Sequence, residues 1–497
     1  MGARSRERTL SNPREAPDLE PVALPKWIGI SFAAGVALIA LARSWSAVYA
    51  FVALLTLAFL SCYRRAPEHT MLVFIVFFPT MMLFPTSGAI LPGINFETLV
   101  IFALAFAASA VRTDVPRFPQ SNPMLAPVVF YTCVMVVSGM ISFVTGRTGH
   151  GLWDLLSDVK SYVFVPFVAP LAFRLLWTPR LLRSAVNLIA WVTAIVSVHA
   201  MLLLPMKLPQ FAKFGNRAVG IMGWQPNALG AFLALMIVIL FSIVLSGRAT
   251  VRQRALWASS LVAAGVALLA TMSRGSWLGA LAGLCYLGVA RGAKVGVLLL
   301  LLAISAVFWI PQEVLDRAES TVQRDEGVFE RDSTVEPSTR VRLVQWKTLA
   351  GLWAGSPLVG HGFRTYGKLF QPYDPYGEAR SAHSSIIEFL VEEGLVGFAA
   401  YCWLIGALGW AGWRVSRTSD DPFLAALGAG LVAATICLVL LDTSGTRFRN
   451  VSTMVYIWLL GGALARVAWA TSPPPERRPV AGRAAAARRP QPAAGRR

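Results

Sequence analysis

The residues of this chain that could carry chemistry are one histidine and a small set of arginines between apolar segments. His383 lies in EARSAHSSIIEFLVEEGLVGF, residues 378–398, where ionisable side chains crowd the approach to an apolar run. Histidine is the side chain best suited to move a proton near neutral pH. Arginine offers a permanent charge and a fork of donors that fits phosphate oxygens. Together they indicate chemistry on a phosphorylated substrate.

Motifs of several other enzyme classes are missing from the sequence. It contains no GxxxxGK[ST] nucleotide loop, no HExxH and no paired CxxC, and its five cysteines lack zinc spacing. The pair Asp420-Asp421 lies on the side of the membrane opposite to the arginines discussed below, so it does not support a metal–nucleotide site beside them.

Composition indicates an integral membrane protein. Of the 497 residues, 56% are hydrophobic and only 14% are charged, whereas a soluble domain carries roughly 25% charged residues. The net charge of +19 is concentrated in short loops and in the C-terminal tail. Basic residues at such positions are typical of segments that orient a membrane protein and keep its cytoplasmic parts soluble. We therefore expect the lipid bilayer as a partner, and no nucleic acid.

The apolar runs predict an all-α polytopic integral membrane protein with about 14 transmembrane helices, in a range of about 12 to 14. Every second loop between these runs carries Lys or Arg. By the positive-inside rule these loops, together with the basic tail, lie in the cytoplasm, and both termini lie there too. The runs lie at 27–43, 45–63, 70–86, 95–112, 123–145, 159–176, 184–204, 227–247, 255–271, 275–290, 294–311, 385–413, 423–442 and 451–469.

The same alternation leaves several arginines on the outer side, where the rule disfavours them. An arginine beside a membrane usually has a partner, which is either a carboxylate or an anionic ligand. Asp442, at the end of a span, could pair with Arg447 or orient a substrate. The outer set is Arg217, Arg274, Arg340, Arg342, Arg364, Arg447 and Arg449.

The chain divides into five regions. Residues 1–26 and 471–497 are expected to be disordered cytoplasmic segments, the second of them basic. The first eleven spans occupy 27–311 and the last three occupy 384–470. Between them, 312–383 forms one large helical periplasmic loop, in which the apolar spacing of 338–357 predicts an amphipathic helix.

Each candidate also has a structural explanation. His383 could cap the helix that follows it, and Arg274 could neutralise acids of the long loop. Glu392 and Glu393 are expected to pair with an arginine at a span entrance rather than to act in catalysis. His361, between two glycines, is expected to be a turn residue.

Four motifs in order resemble the O-antigen ligase and polymerase family. GNRAVGIMGWQPNALGAFL (215–233) resembles an outer loop in which an arginine precedes a Pro-Asn helix start, and TMSRGSWLGAL (271–281) resembles the family's Ser-Arg-Gly turn. STRVRLVQW followed by SPLVGHGFRTY resembles its large periplasmic loop, and AHSSIIEFLVEEGLVGF resembles its closing motif. The resemblance covers roughly residues 210–460.

The resemblance implies a GT-C-like glycosyltransferase of the lipid-donor class in the bacterial inner membrane, with a periplasmic active site. Its donor would be a glycan on undecaprenyl pyrophosphate, and its acceptor either another glycan or lipid A–core. The family's reaction needs no nucleotide, no metal and no other cofactor. A chain-length regulator is a further partner to expect of such an enzyme.

The resemblance also assigns roles to individual residues. Arg217 and Arg274 would bind the pyrophosphate leaving group, whose charge grows as the glycosidic bond breaks. Arg340 or Arg342 would join them. His383 would act as general base on the acceptor hydroxyl, or position the donor.

Two alternatives stay open within and beyond this family. The span count favours a polymerase of O-antigen or exopolysaccharide repeat units over a ligase that transfers the finished glycan to lipid A–core. A transporter or flippase of lipid-linked sugars would place charges midway along its spans, whereas here the charges gather at one surface.

Overall fold

The secondary-structure elements in the residues that the computed structural model describes are all helices. The described residues are 56–64, 66–81, 96–111, 122–147, 151–246, 249–292, 294–297, 301, 337–373 and 382–470. Both terminal segments, the first expected span and most of the spans at 45–63 and 294–311 lie outside them.

The described residues form helices joined by short turns. Proline at a first helical position begins α5, α6 and α13, where its missing N–H and fixed φ cost nothing. The helices are α1 His69–Met81, α2 Phe96–Ala110, α3 Leu125–Val144, α4 Leu152–Leu175, α5 Pro179–Leu203, α6 Pro226–Val244, α7 Val251–Ala270, α8 Arg274–Ala290, α9 Pro337–Ala354, α10 Tyr366–Phe370, α11 Ser385–Glu392, α12 Gly394–Thr418, α13 Pro422–Thr443 and α14 Val451–Ala470.

Eight of these helices are long and apolar enough to cross a membrane, so the protein is a polytopic membrane protein. They are α3, α4, α5, α6, α7, α12, α13 and α14. The helices α6, α13 and α14 lie at the centre, with 89%, 72% and 83% of their apolar segments buried inside the protein. Because α6 reads PNALGAFLALMIVILFSIV, it is apolar on every side and suits a position surrounded by other helices.

Glycines bring neighbouring helices close together. A Cβ on Gly412 of α12 would lie 2.7 Å from the carbonyl oxygen of Gly428 on α13, and a Cβ on Gly283 of α8 would lie 2.9 Å from that of Ala433. Small residues at such crossings let helix backbones pack closely in a bilayer. These contacts fix α8 and α12 against the central helix α13.

The expected single span at 385–413 is wrong, because the chain divides there into α11 and α12. Gly394 has a φ of +67°, and a Cβ at this position would lie 2.4 Å from backbone atoms of Leu358. Glycine is the residue that adopts this left-handed conformation at no steric cost. The break leaves α11, which is only 8 residues long, outside the long helix α12.

The end of the bundle that carries α9, α10 and α11 is called the loop end. There the Phe363 amide donates to the Ser138 carbonyl of α3 at 3.2 Å, and Arg364 pairs with Asp158 of α4 at 3.0 Å. At the opposite end Arg183 pairs with Asp421 at 2.8 Å. The expected helix at 338–357 is observed as α9, although the side chains of 337–344 lie outside the described residues.

Candidate active site

Arg217 and Arg274 line one cavity at the loop end. Arg274 is the first residue of α8, directly after the turn that joins it to α7. Arg217 comes from the segment before α6. The cavity has a volume of about 160 Å³ and is lined by Arg217, Asn227, Met272, Ser273, Arg274, Gly275, Ser276, Leu441, Ser444 and Arg447.

Two hydrogen bonds hold the Arg217 side chain in place. Its Nε donates to the Thr271 carbonyl at 2.9 Å, and its Nη2 donates to Asn227 Oδ1 at 2.7 Å. The Ala218 amide donates to the Ala270 carbonyl at 2.8 Å. The loop that carries Arg217 is therefore fixed to the end of α7 and to the start of α6.

The third arginine of the cavity is Arg447, from the turn between α13 and α14. This turn approaches the start of α8 so closely that a Cβ on Gly275 would lie 2.7 Å from Ser444 Oγ. The positive-inside rule predicts Arg447 on the outer side, but no sequence motif assigns it to the site. The signal for it was TSGTRFRN, an arginine-containing turn directly after Asp442.

No carboxylate lines this cavity among the described residues. Three guanidinium groups beside the hydroxyls of Ser273, Ser276 and Ser444 offer only positive charge and neutral hydrogen-bonding groups. Arginine forks bind phosphate oxygens in pairs of parallel hydrogen bonds. The cavity is therefore suited to a polyanion such as a pyrophosphate.

Asp442 is completely buried at the end of α13 and orients the chain around the cavity. Its Oδ1 accepts hydrogen bonds from the amides of Arg447 at 2.9 Å and Phe448 at 2.8 Å, and from the Ser385 hydroxyl. Its Oδ2 accepts from the Tyr401 hydroxyl at 3.1 Å. Asp442 thus contacts Arg447 through the backbone, and its role is to join the α13–α14 turn to the start of α11.

His383 is exposed and immediately precedes this attachment. It is not the cap of α11, because Ser384 is the N-cap and its hydroxyl accepts from the Ile387 amide. The φ of His383 is +53°, in the left-handed region that few residues other than glycine adopt. Such backbone conformations persist only where the surroundings enforce them, and they concentrate at functional sites.

His383 is not among the residues that line the cavity, but its neighbours are bonded to the turn that does. Ser384 Oγ donates to the Asp442 carbonyl at 3.1 Å, and the Ser385 amide donates to the Gly445 carbonyl at 3.2 Å. The structure therefore places His383 beside the segment that contributes Ser444 and Arg447 to the cavity. Arg340 and Arg342 lie in α9, and their side chains are outside the described residues.

Glu392 and Glu393 pair with an arginine, as expected, and that arginine is Arg449. Its guanidinium lies 2.7 Å from Glu392, 2.6 Å from Glu393 and 3.5 Å from Glu388. Burial raises the pKa of Glu393 well above its usual range, although Arg449 opposes this. Burial alone would lower the pKa of Arg449, but the three glutamates raise it well above its ordinary value. The cluster is therefore a buried ion pair between Arg449 and the carboxyl groups of Glu392 and Glu393.

His361 has a structural role at the turn between α9 and α10. Its Nε2 lies 2.7 Å from the Leu352 carbonyl, so this nitrogen is the donor and Nδ1 accepts from Arg147 at 3.2 Å. The flanking Gly360 and Gly362 both have positive φ. No group of three His, Cys, Asp or Glu side chains that could hold a metal ion occurs in the described part of the chain.

Comparison with known proteins supports the family resemblance. Residues 259–402 match the family described as O-Antigen ligase, a range that includes the α7–α8 turn, α9, His383 and the break at Gly394. No curated protein matches the chain significantly. The expected resemblance to the O-antigen ligase and polymerase family is confirmed at residues 259–402, whereas the motif at 215–233 lies outside the match.

Proposed function

We propose that the protein is a membrane glycosyltransferase that transfers a glycan from undecaprenyl pyrophosphate to an acceptor hydroxyl at the loop end. The observation that carries this proposal is the cavity that Arg217, Arg274 and Arg447 share, with no carboxylate in its lining among the residues that the structure describes. The left-handed His383 lies directly before the residues that are bonded to the turn carrying Arg447. The loop end then faces the periplasm, and the protein lies in the bacterial inner membrane with both termini in the cytoplasm.

In the proposed reaction, His383 takes the proton from the acceptor hydroxyl as its oxygen attacks the anomeric carbon of the donor glycan. The bond from that carbon to the pyrophosphate oxygen breaks, and undecaprenyl pyrophosphate leaves with the electron pair. The leaving group gains one negative charge, which the guanidiniums stabilise more strongly than they stabilise the intact donor. Only interactions of this kind, stronger in the transition state than in the ground state, accelerate the reaction.

Arg340 or Arg342 of α9 completes the binding of the pyrophosphate in this proposal, because Trp346 of the same helix donates to the carbonyl of Ala382, the residue before His383. Asp442 acts by orienting the α13–α14 turn. The reaction needs no nucleotide, metal or other cofactor, since the proton acceptor and the cationic groups are all side chains of the protein.

We favour a polymerase that joins O-antigen or exopolysaccharide repeat units, for which a chain-length regulator is an expected partner. The description of the matched family favours the second candidate, a ligase that transfers the glycan to lipid A–core. The two candidates share the donor and differ only in the acceptor.

The test is transfer by the full-length protein in phospholipid vesicles, with the lipid-linked glycan extracted from the source strain. Elongated lipid-linked glycan indicates a polymerase, and labelled lipid A–core indicates a ligase. Absence of both products would refute glycan transfer.

A deletion strain supplies an independent result. Single repeats without long chains indicate a polymerase, and lipid-linked polymer without modified lipid A indicates a ligase. Normal chains that stay on the cytoplasmic face would show that the protein is a flippase and would refute the proposal.

A further inference from the structure

The left-handed conformation of His383 is maintained by the residues on both sides of it. On the C-terminal side, Ser384 and Ser385 are bonded to the end of α13 and to the turn that follows. On the N-terminal side, Ala382 is completely buried. The exposed histidine thus lies between two anchored neighbours.

Ala382 is held at its methyl group, its amide and its carbonyl. Its side chain belongs to a small apolar cluster with Leu349, Tyr366, Phe370 and Val391. Its carbonyl accepts a hydrogen bond from Trp346 Nε1 at 3.2 Å, and its amide donates to Glu388 Oε1 at 3.2 Å. Trp346 belongs to α9 and Glu388 to α11, so two helices fix the peptide units on either side of this residue.

Glu388 is in turn held from the far side of the site. Its Oε2 lies 3.5 Å from Arg449, which also packs over the ring of Phe389 at 4.4 Å. Arg449 follows Arg447 by two residues in the turn that lines the cavity. A continuous series of contacts therefore joins the cavity turn to the backbone in front of His383.

We propose that Trp346 and Glu388 are positioning residues for His383. They hold the Ala382 backbone so that His383 keeps its left-handed conformation next to the cavity, and Arg449 fixes Glu388 for this task. This inference rests on the proposed role of His383 in glycan transfer. It assigns α9, a helix of the long loop, a direct part in forming the site.

The test replaces Trp346 by phenylalanine, which retains an aromatic ring and removes the N–H donor. The matched control is Trp353→Phe, on the same helix, because Trp353 Nε1 also donates to a backbone carbonyl, that of Pro357 at 3.2 Å. Transfer from the lipid-linked glycan is measured in vesicles. The kcat is expressed per binding site for undecaprenyl pyrophosphate, so that a misfolded fraction does not lower it.

We expect Trp346→Phe to lower kcat per site by about three- to tenfold, the effect of one neutral hydrogen bond. The KM for the donor should change by less than about twofold, because the arginines are untouched. Trp353→Phe should leave both constants unchanged. Equal kcat values for the two variants, or a loss of donor-binding sites that accounts for the whole effect, would overturn the positioning role.

Glu388 offers a second, independent pair of variants. Glu388→Gln keeps an oxygen that can accept from the Ala382 amide, whereas Glu388→Ala does not. We expect kcat per site to fall at least about threefold further in Glu388→Ala than in Glu388→Gln, and equal values would overturn the proposal.

Wild-type protein that binds undecaprenyl pyrophosphate but transfers no glycan would refute the proposed function, and the positioning role with it. Wild-type transfer with no difference within either pair refutes the positioning role alone.

Discussion

Replacing Arg274 by alanine tests the proposed stabilisation of the leaving group. Arg274 begins α8 and lines a cavity of about 160 Å³ with two other arginines and no carboxylate among the described residues. A guanidinium that contacts two pyrophosphate oxygens makes two charge-assisted hydrogen bonds, each worth about 1.5–3 kcal/mol.

The expected loss follows from these bonds and from the charge that develops on the leaving group. Part of their energy is already present in the bound donor, so the transition state loses about 3–4 kcal/mol in Arg274→Ala, or about 10²–10³ in kcat. Arg274→Lys should retain one contact and lose about tenfold, because an ammonium is a point charge without the fork. Donor KM should rise less than kcat falls.

The assay is the initial rate of glycan transfer in vesicles, with the amount of inserted protein measured in the same samples. Arg254→Ala is the matched control, because Arg254 lies at the opposite end of α7 and donates to the Ser246 carbonyl there at 3.4 Å. If Arg274→Ala keeps kcat within about threefold of the wild type, or if Arg254→Ala causes an equal loss, the assignment of Arg274 to the leaving group is refuted.

Three further predictions concern other parts of the site. His383→Ala should lower kcat by about 10²–10⁴ while undecaprenyl pyrophosphate still binds; full transfer at equal expression would exclude His383 as the base. Gly275→Ala should reduce transfer, because the added Cβ would lie 2.7 Å from Ser444 Oγ. Adding Ser444→Ala to this variant should restore transfer, because the remaining Ser444 Cβ is 3.8 Å from the added Cβ. A double variant as impaired as Gly275→Ala alone would contradict this contact. Glu393→Gln should flatten the pH dependence of thermal stability. Burial raises the pKa of Glu393 above its ordinary 4.5, so the folded state holds the proton more tightly than the unfolded state does. The stability of the wild type therefore falls as the pH rises from the unfolded-state pKa to the folded-state pKa of Glu393. Unfolding midpoints from about pH 5 to about pH 8 measure this, and parallel curves for the two proteins would show that Glu393 is ionised when folded.

The parts of the site that sequence analysis brings together depend on counting spans. Arg217 and Arg274 fall on the same side in the positive-inside scheme, and the structure places both at one cavity. Helix starts also follow from local chemistry, since a proline directly precedes Asn227 at the start of α6. Such features depend on hydrophobic length and on residues adjacent in sequence.

Other features depend on packing that the sequence does not express. Arg447 and Arg449 are two residues apart and equivalent in the span count, but one lines the cavity and the other is buried among glutamates. The division at Gly394 interrupts the predicted span at 385–413, which contains no proline. The bond from Trp346 to the Ala382 carbonyl joins residues 36 positions apart, and only the folded arrangement of α9 against α11 shows it.

The close contact of Gly283 with α13 has a consequence for the cavity. Gly283 lies nine residues after Arg274, about 13 Å along the helix axis. The contact fixes how far α8 is displaced lengthwise along α13, and thereby the height of Arg274 relative to Ser444 and Arg447. The separation of the charged groups is thus determined by the axial register of two helices deep in the apolar part of the bundle. A side chain at position 283 would alter the distance between the cationic groups without contacting any of them.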